Sequence, residues 1–294
     1  MKKLQRLRRS FSRGLGIVAL AGLIAVFGAS HAGQRESSKD PIIALSFDSG
    51  TQMLLKAYPQ ALYRSGDEGR NWTRILLPPA VAGNSIAAIA TAAHRSGVLY
   101  VAGPGLGVLR SEDSGRNWVA ENGALPSTDV VALTSHADQS DTLYAYLSGR
   151  GFFRSEDAGG HWRLMDAGPR EKILQIIHSN MPGSMQTGWF FAATAKGVSR
   201  SMDCFCGWRD AGQLTDRVHA VSYDPRQPQH VYAATEEDLF LSTNGGEQWT
   251  RVKSPAPVVT ALIVTPSGVL YAATGNGDLF RSADRAKTWE RIGA

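Results

Sequence analysis

Ser111-Glu112-Asp113-Ser114-Gly115-Arg116-Asn117-Trp118 combines the residues that close a tight hairpin with one large ring to pack it. Glycine reaches the positive φ of such a turn at no steric cost, and Ser and Asp oxygens accept the turn's backbone N–H groups. The pattern Ser-x-Asp-x-Gly-x-x-Trp is complete three times, as Ser65-Asp67-Gly69-Trp72, Ser111-Asp113-Gly115-Trp118 and Ser155-Asp157-Gly159-Trp162. Altered copies begin at Ser201, Ser242 and Ser282. The first keeps Asp203 and has Phe205 for glycine, the second has Asn244 for aspartate, and the third keeps Asp284 and has Ala286 for glycine. All three retain the tryptophan, as Trp208, Trp249 and Trp289. The six starts are spaced by 46, 44, 46, 41 and 40 residues, so the chain is a repeat array.

A repeat of roughly 40–45 residues with four strand-like segments is the mark of a propeller blade, a small sheet that cannot bury its faces alone. In the fifth unit the segments are Val218–Asp224, Val231–Thr235, Asp238–Ser242 and Gln248–Val252; in the sixth, Val258–Thr265, Val269–Thr274, Asp278–Ser282 and Thr288–Ile292. They are short, β-branched or aromatic, and separated by turn signals. With strands named A to D, the repeated turn falls between C and D, and its tryptophan is placed to wedge between adjacent blades. Tyr100, Tyr144, Tyr232 and Tyr271 share one position of strand B and read as packing residues. The expected fold is all-β, a six-bladed propeller of four-stranded antiparallel blades over residues 33–294.

The turn resembles the Asp-box, and the chain resembles BNR-repeat propellers: sialidases, sortilin-like receptors, xyloglucanases and photosystem II stability/assembly factor-like proteins. The likeness spans about residues 42–292, and the run Leu270 to Trp289 is most similar to the assembly-factor branch. Those relatives usually carry seven blades, and six repeats are counted here. The resemblance implies either a binding or assembly scaffold or a glycoside hydrolase of sialidase type. Sialidase chemistry implies three arginines on a carboxylate, a tyrosine nucleophile with its glutamate, and an acid aspartate. The family's Phe-Arg-Ile-Pro string is missing, the nearest being Arg74-Ile75-Leu76-Leu77-Pro78 in strand D. Only Tyr58, beside Pro59, reads as free to enter a mouth, so the scaffold is the expected class, with no catalytic residue and no cofactor.

Residues 1–32 are a different kind of sequence. Lys2, Lys3, Arg6, Arg8, Arg9 and Arg13 precede an apolar run from Gly14 to Ala29, and Ser30-His31-Ala32 offers a small-residue cleavage site. This is an export signal, with an uncleaved anchor as the alternative. Arg8-Arg9-Ser10-Phe11 fits a twin-arginine signal or a generic basic segment. The expected location is the periplasm or cell envelope, with membrane contact only through the signal. Residues 1–32 hold six of the 31 basic residues and none of the 26 acidic ones, which leaves 25 against 26. A near-neutral domain gives no argument for nucleic acid, which favours a basic footprint. A monomer with a protein or glycan partner is expected.

Cys204 and Cys206 both lie in the fourth turn. In an oxidising compartment neighbouring thiols tend to pair, so a disulfide that rigidifies the turn, or idle thiols, is expected ahead of a metal site, which lacks further ligands nearby. In an antiparallel blade the A–B and C–D turns lie on one face and the B–C and D–A loops on the other. On the latter, Arg150, Arg170, Lys172, Lys196 and Arg217 form a basic arc and Glu236, Glu237 and Asp238 an acidic turn. The arc reads as a site for an acidic partner or as ordinary loop charge, since Glu171, Asp210 and Asp216 interrupt it. The acidic turn matches Gly275-Asn276-Gly277-Asp278 of the next unit, so it reads as a solvated hairpin rather than a glycosidase acid pair. Gly103-Pro104-Gly105-Leu106-Gly107 lacks the helix that a phosphate loop needs. His94, His136 and His178, near the ends of strand A, read as surface loop residues.

Overall fold

The computed structural model describes residues 40–184, 188–202, 205 and 207–293. The expected export signal, Asp203 and the Cys204/Cys206 pair lie outside them. Each repeat folds into one meander, because its four short apolar runs are joined by turns too tight for anything but antiparallel neighbours. Blade 1 is β1 (Ala44–Asp48), β2 (Met53–Tyr58), β3 (Ala61–Ser65) and β4 (Thr73–Ile75); blade 2 is β5 (Ala88–Thr91), β6 (Leu99–Gly103), β7 (Gly107–Ser111) and β8 (Val119–Ala120). Blade 3 is β9 (Val130–Ser135), β10 (Leu143–Leu147), β11 (Gly151–Ser155) and β12 (Arg163–Asp166); blade 4 is β13 (Ile173–Ser179), β14 (Trp189–Thr194), β15 (Gly197–Met202) and β16 (Arg209–Asp210). Blade 5 is β17 (Val218–Asp224), β18 (Gln227–Thr235), β19 (Leu239–Ser242) and β20 (Thr250–Val252); blade 6 is β21 (Val259–Val264), β22 (Leu270–Thr274), β23 (Leu279–Ser282) and β24 (Glu290–Ile292). Each blade is one four-stranded sheet with its strands in chain order. The one helical element among the described residues is a 3-10 turn, Pro79–Val81, in the loop from blade 1 to blade 2.

The second and third strands are buried on both sides, as at β6 and β11, because a blade covers each face. The outer strands are half exposed and run shorter than the sequence suggests, since each tryptophan stays in the turn. Conversely, β18 starts at Gln227, ahead of the expected Val231. Asp224 pairs directly with Gln227, so Pro228, Gln229 and His230 extend the hairpin despite their polarity. Apolar clusters fill every junction between adjacent blades. Tyr100, Tyr144, Tyr232 and Tyr271 are buried in them, as their shared position requires.

The first strands ring a central channel of about 390 Å³. Their free edges are partly satisfied from the neighbouring blade. Val221 N–H donates to Gln175 Oε1 at 2.7 Å, Val264 N–H to Ser222 Oγ at 3.0 Å, and Thr91 Oγ1 to Phe47 O at 3.0 Å. The ring closes between β21 and β1. Blade 1 uses only residues 44–75 and blade 6 only 259–292, so no strand is exchanged. Thr260 Oγ1 donates to Ile42 O at 2.6 Å, Arg281 pairs with Glu68 at 3.1 Å, and Leu45, Leu54 and Tyr58 pack on Tyr271, Leu279 and Ile292.

Candidate functional site

The strand order puts the B–C turns and D–A loops on one face, the mouth of the channel. Arg150 lies between β10 and β11, Arg170 and Lys172 between β12 and β13, Lys196 between β14 and β15, and Arg217 between β16 and β17. All five are exposed. Lys196 Nζ pairs with Glu171 Oε1 at 3.2 Å, whereas Arg150, Arg170, Lys172 and Arg217 have no carboxylate within 4.0 Å among the described residues. The acids of blades 5 and 6 are more committed. Asp238 pairs with Arg251 and Asp278 with Arg291. Glu236 Oε1 lies 3.7 Å from His219 Nε2 in the channel throat, where burial and then Arg217 lower the His219 pKa against the pull of Glu236. Thr235 N–H donates to Asp238 O and Thr274 N–H to Asp278 O, so the two turns share one closure and only blade 5 adds the two exposed glutamates.

The opposite face carries the repeated turn. Ser111 Oγ accepts Gly115 N–H at 2.8 Å and donates to Asp113 Oδ1 at 2.9 Å. Asp113 Oδ1 accepts Asn117 N–H at 2.8 Å and its Oδ2 accepts Asn117 Nδ2 at 2.6 Å. The Asn117 backbone and side-chain N–H groups hold the Asp113 carboxyl down at about 2. Ser65 with Asp67 and Ser155 with Asp157 repeat the arrangement. In the fifth turn the Asn244 amide oxygen takes over, accepting Gln248 N–H at 2.9 Å. In the three complete turns glycine is favoured twice over. Gly115 sits at φ +86°, and a Cβ there would fall 2.4 Å from Ile75 Cγ2 of the preceding blade. Gly69 and Gly159 are pressed in the same way by Ile292 and Glu121.

The tryptophans reach across the junctions. Trp118 Nε1 donates to Leu76 O at 3.1 Å, Trp162 to Glu121 O at 2.9 Å, Trp249 to Ala211 O at 2.7 Å and Trp289 to Lys253 O at 2.8 Å, each in the preceding repeat. Trp208 donates to Asp166 Oδ1 at 2.8 Å, and Trp72, in the first blade, to its own Gly69 O at 2.9 Å. In the fourth turn Phe205 stands in place of the glycine, at φ +53°, and sends its ring into the core between blades 3 and 4, 4.9 Å from Phe190.

Two surface expectations are corrected. His136 and His178 are 0% and 3% exposed, their rings 4.1 Å apart and tilted, with Tyr144 stacked on His178 at 5.5 Å. Their Nδ1 atoms accept backbone N–H groups, from Asp138 and Gln139 for His136 and from Ala137 for His178, which holds both rings inward. Burial, then His136 and Arg154, push the His178 pKa well below its usual range. Of the three histidines only His94 is exposed. Tyr58 is also not free, because it ends β2 with its ring edge-on to Tyr63 at 5.7 Å in the closing junction. The same junction buries Lys56, whose Nζ lies 4.2 Å from the Trp72 ring centre. Burial lowers that amine to about 8. The equivalent residues are Val101, Ala145, Ala192, Ala233 and Ala272, so nothing in the repeat pattern signals a lysine there.

A turn closed by serine and aspartate, locked by glycine and wedged by tryptophan thus recurs around the ring. Residues 279–292 match the BNR-Asp box repeat. No curated protein matches the chain in sequence. Among solved structures, the Niastella koreensis GH74 enzyme superposes with a TM-score of 0.60 at 16% identity, over 87% of this chain and 48% of its own; the chain spans about half that enzyme's length. YCF48 from Cyanidioschyzon merolae gives 0.58 at 14% identity over 86% and 85%. YCF48 bound to D1 peptide gives 0.54 at 19% identity over 82% and 76%. At such identities the likeness is one of fold.

One element of the repeated turn escaped the sequence reading. Arginine precedes the turn serine in five repeats, at Arg64, Arg110, Arg154, Arg200 and Arg281. Arg64 Nη1 donates to Ser114 O at 3.2 Å and Arg200 Nη1 to Gly245 O at 2.7 Å, each in the following blade's turn. The recurring Arg-Ser dipeptide was the available signal. Among the described residues no group of three His, Cys, Asp or Glu is placed to hold a metal.

Proposed function

We propose that this chain is an exported propeller that holds a partner, protein or glycan, on its mouth face in the periplasm or cell envelope without chemistry of its own. The observation that carries the reading is the arc of five exposed cations on the mouth, four of them without a carboxylate partner among the described residues. Unpaired cations of one sign around an opening attract an acidic surface. The Asp-box face offers less, because its serines, aspartates and tryptophans are used to close turns and join blades. YCF48 bound to D1 peptide, a propeller of the same fold, is the comparison in keeping with a protein partner. Export rests on the basic, apolar and small-residue succession of residues 1–32.

Charge reversal at Arg150, Arg170 and Lys196 tests the reading. Stability should change by only ~0.5 kcal/mol per site, while quantitative cross-linking in envelope extracts loses the partners that the wild-type chain captures. Retention of every partner by the triple reversal, with loss in Asp-box surface variants, would assign function to the other face. Intact mass of envelope material tests processing: a chain beginning near Gly33 is expected, and a retained 1–32 would favour an anchor. Lysine at both Arg8 and Arg9 should block export if the twin-arginine route is used. Turnover of xyloglucan or a sialoside that vanished on changing Glu236 or Glu237 would replace the scaffold with a glycoside hydrolase.

A further inference from the structure

Lys172, Arg217 and Val258 each immediately precede the first strand of their blade, so blades 4, 5 and 6 present basic, basic and apolar side chains at one step of the channel mouth. Val258 is held there against its own preference. Its φ is +53°, in the left-handed region that β-branched residues avoid. Two hydrogen bonds pin it, from its N–H to Glu236 O at 2.9 Å and from Gly275 N–H to its carbonyl at 3.2 Å, between the B–C turns of blades 5 and 6. The core gives only partial compensation, since Val258 is 41% exposed. Glycine or asparagine would occupy the same backbone with less strain. Strain kept beside an exposed apolar side chain at a channel mouth points to use of that side chain.

We propose that Lys172, Arg217 and Val258 form one docking surface for an extended peptide in which carboxylate side chains are followed directly by an aliphatic one. The carboxylates face Lys172 and Arg217, and the aliphatic side chain covers Val258. This rests on the mouth-face reading above and adds to it the recognition pattern of the partner. Charge complementarity commits the occupant, because Arg217 and Lys172 are exposed without ion pairs among the described residues. Val258 itself sits against the acidic turn, its N–H held by the Glu236 carbonyl.

The test uses the domain from residue 33 to 294 as the cell would hold it after processing, and in parallel the full chain. Two fluorescein-labelled synthetic peptides, Gly-Asp-Glu-Asp-Leu-Gly and Gly-Asp-Glu-Asp-Ser-Gly, are titrated by fluorescence anisotropy at low salt. The leucine peptide should bind about tenfold more tightly than the serine peptide, as expected for one partly buried aliphatic side chain. In Val258→Asn that preference should fall to about twofold, with a melting temperature raised by ~2–4 °C; Val258→Ile should keep the preference. Arg217→Glu should weaken both peptides. If wild type binds neither peptide, both the basic-mouth reading and this inference fall. Binding that needs Arg217 yet ignores leucine, or ignores Val258→Asn, overturns this inference alone. A lower melting temperature in Val258→Asn would remove the strain premise and overturn it as well.

Discussion

Gly115→Ala probes the contact on which blade stacking depends. A methyl at φ +86° costs ~1–2 kcal/mol for the left-handed backbone alone. It would also stand 2.4 Å from Ile75 Cγ2 and 3.5 Å from the Trp118 ring. Ile75 is only 4% exposed, so its methyl has nowhere to move, and overpacking of this kind adds ~1–3 kcal/mol. The expected loss is therefore ~2–5 kcal/mol, or about 5–15 °C in melting temperature for a domain of this size. Gly83→Ala is the control: its φ is +84°, but nothing lies within 4 Å of the added methyl. It carries the backbone cost without the clash, and the shared effect on the unfolded chain cancels between the two. Urea unfolding followed by tryptophan fluorescence measures both. Ile75→Leu, which removes the γ2 methyl, should restore part of the loss in the Gly115→Ala background. Equal losses for the two glycine variants, within ~0.5 kcal/mol, would show that the preceding blade does not press on the turn.

Trp162→Ala should lose ~3–5 kcal/mol in the same assay, and Trp118→Ala less, because Trp162 is buried and Trp118 is half-buried. Ile292→Ala should lose ~2–4 kcal/mol by loosening the junction that closes the ring on Gly69. Lys56 is held at about 8 in the fold and titrates near 10.4 when unfolded, so the unfolded chain binds the extra proton between those values. Stability should accordingly rise from pH 8 to pH 10, by on the order of 1–2 kcal/mol. Lys56→Met should flatten that slope, as read from urea midpoints across the range. His178 has a lowered folded pKa, so its contribution is complete above about pH 6.5 and is lost as the unfolded chain takes up its proton below that. The decline between pH 6.5 and 4.5 should be shallower in His178→Phe.

The fold was legible because every repeat restates one local rule. Ser, Asp, Gly and Trp at fixed spacing encode a hairpin, and the hairpin needs only its own eight residues to form. What lay beyond eight residues was less visible. The buried His136/His178 pair depends on the A–B turn of blade 3 meeting the first strand of blade 4, and no spacing in either repeat announces it. Lys56 is concealed for the opposite reason: a polar residue at an apolar position looks like a surface residue until the neighbouring blade is in place. Tyr58 looked free beside Pro59 because a strand end and a loop start are the same in sequence; the ring turns inward only because Tyr63 and the last blade cover it.

The mouth was legible in position but not in use. Strand order alone assigns Arg150, Arg170, Lys172, Lys196 and Arg217 to one face, since in an antiparallel meander every second turn points the same way. Whether those charges are spent on each other or on the junctions is a matter of distance. Arg64, Arg200 and Arg281 are fixed on the next blade's turn, so replacing them would loosen the ring. Arg170, Lys172 and Arg217 make no such bond, so the fold gains little from them, and exposed like charges close together cost rather than help. Arg170, Lys172 and Arg217 stand away from the junctions that Arg64, Arg200 and Arg281 hold, so changing them should spare the ring while altering what the mouth attracts, and Val258, strained and exposed between two mouth turns, lies on that same face.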